Sequence, residues 1–280
     1  MNYNYWNDFI NHWVHSPANL INIVPPINNN FLNWEHPNIQ PLLNDPGVSF
    51  EFLPEPWWGN NGTHELQSVV LNFNPGKGGG WQHHLNSMNT LNNILYSDFI
   101  YSELTTLTPN LPKTSRWHLT KRAQPIFKAL SANGIVSNNF TLLNHLSVEL
   151  IPWHTENINM LHTYVSRNLN PIFNNSFVFA ANESKRIANK ILKNKVIVRM
   201  SQNFILPILN SIQNQGISNF RILGNHGYYN DNFAVMKFHF SKIEDVEFIC
   251  IWGRYSRNDF PNAHNLNLIF NNLTNLDLLF

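Results

Sequence analysis

Four short apolar runs constrain this chain more than any other feature. Glu65–Phe73 (ELQSVVLNF), the 146–151 end of Phe140–Ile151 (FTLLNHLSVELI), Val196–Met200 (VIVRM) and Val246–Trp252 (VEFICIW) each read as a strand. Chain with helical apolar spacing separates them, over 83–106, 119–132, 183–194 and 202–215, and further helices fit about 5–15 and 262–274. Strands alternating with helices form β–α–β crossovers, which give a sheet covered on both faces. The expected fold class is therefore α/β: a three-layer α/β/α sandwich with a mainly parallel, about four-stranded central sheet. In such sheets ligands bind beyond the C-terminal strand ends. The irregular polar segments NPGKGGG (74–80), PWHTEN (152–157) and GRYSRN (253–258) fall there.

Composition narrows the class. Hydrophobic residues make up 43% of the 280 and charged residues 12%, against roughly 25% charged in a typical soluble domain. Twenty Phe and nine Trp supply a large core, so disorder is excluded as the main state. No run of about 18 apolar residues exists to span a bilayer, and the start MNYNYWNDFINHW lacks the basic-then-apolar pattern of a secretory signal. A cytoplasmic protein without membrane contact is expected. Cys250 alone excludes a disulfide framework and four-cysteine metal sites. The thirteen histidines form no zinc signature, and no H-x-E…P-C-x-x-C pattern marks a zinc deaminase. No metal or cofactor is expected. Prolines 25, 26, 37, 41 and 46 break up the first fifty residues. We expect one domain over 1–280, with 1–50 as an arm packed on the core and 53–260 as the core itself.

The net charge of +1 conceals an asymmetry. Residues 1–103 hold eight acids and one base, Lys77. Two stretches contain no acid. One lies between Glu103 and Glu149, with Lys113, Arg116, Lys121, Arg122 and Lys128; the other lies between Glu183 and Asp231, with Lys185, Arg186, Lys190, Lys193, Lys195, Arg199 and Arg221. Such stretches create local positive potential that attracts phosphate backbones, although an ordinary solvated face has the same composition.

The first strand runs into Asn74-Pro75-Gly76-Lys77-Gly78-Gly79-Gly80. This is no Walker A loop, because Gly78 stands where the lysine should be followed by a hydroxyl residue. The dinucleotide pattern G-x-G-x-x-G fails too. Glycine here still lets a flat ligand approach the backbone closely. The run Val69-Val70-Leu71-Asn72-Phe73-Asn74-Pro75-Gly76 resembles the first motif of the uracil-DNA glycosylase superfamily, nearest its single-strand-selective monofunctional and mismatch-specific branches. The preceding Leu53-Pro54-Glu55-Pro56-Trp57-Trp58-Gly59-Asn60 is similar to a segment of distant bacterial members.

The resemblance implies that the Asn74 side chain positions a water for attack at C1′ of a flipped nucleotide. It implies that the surrounding loop, with Phe73, Pro75 and Gly76, contacts the base. At the second strand end the related branch carries an asparagine that reads uracil; this chain has Glu149 in Glu149-Leu150-Ile151-Pro152. A carboxylate repels the uracil 4-carbonyl and accepts from the cytosine 4-amino group, so a cytosine-type base is favoured over plain uracil. An exposed, ion-paired glutamate is the alternative. Trp153 suits either core packing or base stacking, and Trp81 is the better stacking candidate. At the last strand end the family histidine is missing. Arg254, or His226 in Gly224-Asn225-His226-Gly227, is expected to assist departure of the base, while Ser256-Arg257-Asn258 echoes the family loop. Lys77, Lys113, Arg116, Lys185, Arg186, Ser256, Arg257 and Asn258 are the candidate DNA contacts. The expectation is a monomeric, monofunctional DNA glycosylase acting on a modified pyrimidine, with anti-phage defence as its setting. A non-catalytic DNA-binding protein on the same scaffold and a nucleoside hydrolase are the alternatives.

Overall fold

The computed structural model describes residues 7, 48–49, 55–60, 62–73, 123–136, 142–155, 165–166, 168–223, 227–229, 233–253, 264–268 and 271. Its strands are β1 (Val48–Ser49), β2 (Trp57–Gly59), β3 (Ser68–Asn72), β4 (His145–Glu149), β5 (His154–Thr155), β6 (Lys195–Arg199), β7 (Phe220–Ile222), β8 (Gly227–Tyr229), β9 (Phe233–Phe240) and β10 (Glu247–Gly253). The helices are α1 (Gln124–Ala132), α2 (Leu169–Ile172), which widens into a π-helical segment (Phe173–Phe177), α3 (Val178–Ser184) and α4 (Gln202–Asn214).

The sheet order is β2-β4-β3-β6-β10-β9-β7, with β8 also on β9. The four sequence-predicted strands are its centre: β4, β3, β6 and β10 are parallel neighbours. The expectation of a mainly parallel, about four-stranded sheet is nonetheless corrected. Antiparallel strands extend it at both edges, β2 beyond β4, and β9 with β7 and β8 beyond β10. The added strands escape periodicity for physical reasons. Three-residue strands such as Trp57–Gly59 carry too little pattern, and β9 and β10 are joined by a turn too short to announce a crossover. A two-stranded ribbon, β1 with β5, stands apart.

A second correction concerns 183–194, expected as a basic helix. The helix ends at Ser184, and turns carry the chain to β6. Asn189 takes over the local hydrogen bonding through its side-chain oxygen, which accepts from the Ile191 amide at 2.8 Å, and Asn194 adopts a left-handed φ of 61°. Asn competes with helical bonding in this way and tolerates that conformation. The helices over 119–132 and 202–215 are present as α1 and α4. The expected helices over 5–15 and 83–106 lie outside the described residues, apart from Asn7, which is helical; of 262–274, residues 264–268 are helical.

Register sorts the sheet into two faces, because directly paired residues point the same way. One face is apolar: Val69, Leu71, Leu146, Val148, Val196, Val198, Phe248 and Phe238 share it. The π-helical segment packs there, with Phe173 and Phe177 edge-on to Phe240 and Phe177 also against Phe248. The other face carries the polar residues Ser68, His145, Ser147, Asn72, Glu149 and Arg199, with Val70 and Ile197 among them. Phe127 of α1 meets His145 edge-on there. Helical chain thus covers both faces, and all five residues of β3 and of β4 are buried.

Candidate functional site

From β3 the chain moves to β4 on one side, while from β6 it moves to β10 on the other. Strands whose connections diverge leave a crevice at their C-terminal ends, the usual ligand position in open α/β sheets. The residues ending β4, β3 and β6 are Glu149, Asn72 and Arg199. Asn72 is paired in register with both others. The three therefore form a row across three adjacent strands, all on the polar face. Neighbouring strands lie about 4.8 Å apart, so the row is about 10 Å long.

Burial distinguishes this row from a surface cluster. Glu149 is 0% exposed and Asn72 3% exposed, while Arg199 is half-buried. Among the described residues, neither the Nδ2 nor the Oδ1 of Asn72 has a hydrogen-bond partner. A buried amide without partners is destabilising unless a ligand satisfies it.

Hydrogen bonds fix the backbone around the row. The Glu149 amide donates to the Pro56 carbonyl at 2.9 Å, the Leu150 amide to the Asn72 carbonyl at 2.8 Å, and the Ile151 amide to the Phe73 carbonyl at 2.9 Å. The hydroxyl of Ser176, in the π-helical segment, lies 3.2 Å from the Glu149 carbonyl and 3.1 Å from the Leu150 carbonyl. Next to this strand end, His154 Nε2 stands 3.6 Å from Glu55 Oε1, both side chains being buried.

The other end of the same face is closed chemistry. Ser68 Oγ lies 2.8 Å from His145 Nδ1, and His145 Nε2 lies 3.2 Å from Ser147 Oγ. One hydroxyl donates and the other accepts, which suits a neutral imidazole. Burial pushes the His145 pKa down to about 3. Burial likewise raises the Cys250 thiol well above its ordinary value, which keeps it inert as a thiol. Near the N-terminal strand ends a cleft of about 480 Å³ is lined by Lys193, Lys195, Lys237, Glu244, Asp245 and Glu247, among others. Its lysines are matched by acids, including a Lys237–Glu247 pair at 3.1 Å, so it offers no net charge to an anion. Lys195 there is lowered from its usual pKa, chiefly by burial.

Of the sequence-predicted residues, Glu149 is buried at the C-terminal end of β4 rather than exposed, and Phe73 is half-buried at the end of β3, its ring 5.7 Å from that of Phe204. Trp153 is 0% exposed and belongs to the core. Lys185 pairs with Asp245 at 3.0 Å; Arg186 pairs with Glu183 and donates to the Gly62 carbonyl. Both cations thus have partners within the chain. Asn74, Pro75, Gly76, Lys77, Trp81, Lys113, Arg116, His226, Arg254, Ser256, Arg257 and Asn258 lie outside the described residues. Sequence reasoning missed Asn72 and Arg199. Their signal is a polar residue closing an otherwise apolar strand, visible in SVVLN and KVIVR.

No protein-family model, no curated protein and no solved structure matches the chain.

Proposed function

We propose that the protein is a monofunctional DNA glycosylase that releases a cytosine-type base, modified bases included, from a flipped nucleotide. The observation that carries this reading is the complete burial of Glu149 at the C-terminal end of a central parallel strand. It sits one strand away from the end of β3, which Phe73 and then Asn74 follow in sequence. A carboxylate kept from solvent beside a ligand crevice selects for a hydrogen-bond donor, and the 4-amino group of cytosine is one.

In this reading the Asn74 carbonyl orients a water toward C1′. The C1′–N1 bond breaks with its electron pair going to the base. The water oxygen bonds to C1′, and its proton ends on the departing base. A weak, well-placed nucleophile suffices because the sugar has oxocarbenium character as the bond opens. Backbone amides of the 74–80 loop stabilise the negative charge on the leaving base. DNA is the partner, held by the acid-free basic stretch between Glu103 and Glu149, and the base must leave the stack to enter the crevice.

The test is mass spectrometry of bases freed from DNAs containing uracil, cytosine, and hydroxymethylated or glycosylated cytosine. Release of a cytosine-type base, lowered about a hundredfold or more in Asn74→Ala, is the expected result. Release of uracil alone, or of no base from any substrate, overturns the reading.

A further inference from the structure

We infer that Asn72 and Arg199 complete, with Glu149, a three-residue reader of the cytosine hydrogen-bonding edge. The inference rests on the proposed function for its ligand class, but on separate observations for its residues. Those observations are the shared register of the three strand ends and the buried amide of Asn72 with neither atom bonded.

The chemistry of the row runs acceptor, amide, cation. Glu149 offers carboxylate oxygens. Asn72 offers both an N–H₂ and a carbonyl and takes whichever role its ligand demands. Arg199 offers guanidinium donors. The base-pairing edge of cytosine runs donor (4-amino), acceptor (N3), acceptor (O2). Laid along the row it gives three matched pairs: Glu149 accepts from the 4-amino group, Asn72 donates to N3, and Arg199 donates to O2. Uracil presents acceptor, donor, acceptor. Asn72 can turn its amide to suit the N3–H and Arg199 still suits O2, but Glu149 faces a carbonyl. Discrimination against uracil therefore comes from Glu149, and Asn72 supplies affinity to both bases. The reader requires the long Glu149 and Arg199 side chains to converge over the shorter Asn72, because a row of about 10 Å is longer than one pyrimidine edge. Substituents at position 5 of the base lie off this edge, so the reader tolerates modification there.

Each residue then has its own signature in binding, which needs no turnover. The probes are two single-stranded oligonucleotides carrying one 2′-fluoroarabino nucleotide, either cytidine or uridine, whose glycosidic bond resists hydrolysis. The wild type is expected to favour the cytosine probe by about tenfold or more, the range of one well-made base contact. Glu149→Gln, whose amide donates to a 4-carbonyl, shifts the ratio toward uracil. Asn72→Asp, an acceptor facing N3, does the same. Asn72→Ser, the uncharged variant for use should the buried acid unfold the chain, weakens both probes about fivefold or more at an unchanged ratio. Arg199→Ala weakens both probes equally.

Unchanged affinities for both probes in Asn72→Ser and Arg199→Ala overturn the inference, even where the wild type releases a cytosine-type base; the proposed function then stands without it. The expected pattern of ratios without base release from any DNA supports the reader and overturns the catalysis. Absence of binding to both probes by the wild type overturns the reader.

Discussion

The β3–β4 pair buries polar side chains at both of its ends, on one face, and treats the Ser68–His145–Ser147 set and the Asn72 amide in opposite ways. At the N-terminal end Ser68, His145 and Ser147 bond to one another. At the C-terminal end Asn72 is just as buried, and neither atom of its amide is bonded. Same strands, same face and similar burial leave only the bonding to differ. Polarity that closes on itself is part of the fold. Polarity left open at strand ends, where the connections diverge, is a place for something to bind.

The sharpest way to break this contrast is with acid. His145 has a folded pKa of about 3 against an ordinary 6.5. Between those values the unfolded chain takes up a proton that the folded chain refuses. Stability is therefore fully present above pH 6.5 and falls as pH drops toward 3, by up to about 5 kcal/mol in total. Denaturant unfolding of wild type and His145→Asn across that window measures it: the wild-type slope should be steeper. Equal slopes mean that the histidine is not held neutral.

A smaller effect is expected from Phe177→Ala on the opposite, apolar face, where the ring is wholly buried between Phe240 and Phe248. Loss of about 3–5 kcal/mol in the same unfolding assay is the expectation. A loss below 1 kcal/mol means that the π-helical segment does not anchor this layer. Smaller again is Ser68→Ala, which leaves the His145 Nδ1 position without its partner and should lower stability by about 1–3 kcal/mol. The smallest change, and the one of opposite sign, is Asn72→Leu. Replacing a buried amide that has no partner with an apolar group of similar size should leave stability unchanged or raise it by up to about 2 kcal/mol.

The parts of this design that sequence exposes are those with long, regular pattern. The continuous apolar runs VVL, VIV and FICIW announce strands buried on both faces, and parallel strands are buried so. Glu149 stood out because a carboxylate in LSVELI conflicts with its neighbours, and its burial is what makes the conflict informative. Asn72 gave no such warning. In a chain where asparagine is the commonest polar residue, one more asparagine carries little information. Its importance comes from register with Glu149 and Arg199, residues 77 and 127 positions away, and only pairing reveals that. The helix over 183–194 failed for the reverse reason: apolar spacing favoured it, while Asn189 and Asn194 bonded and turned the backbone out of it.

The contrast between the two ends reduces to one paired measurement on Asn72→Leu: its thermal melting temperature and its affinity for the 2′-fluoroarabino-cytidine oligonucleotide, set beside Ser68→Ala. The account predicts a melting temperature equal to or above wild type with affinity reduced about tenfold or more, while Ser68→Ala melts lower and binds as wild type does. A lowered melting temperature in Asn72→Leu with wild-type affinity contradicts it, and makes the open end of the sheet a structural feature like the closed one.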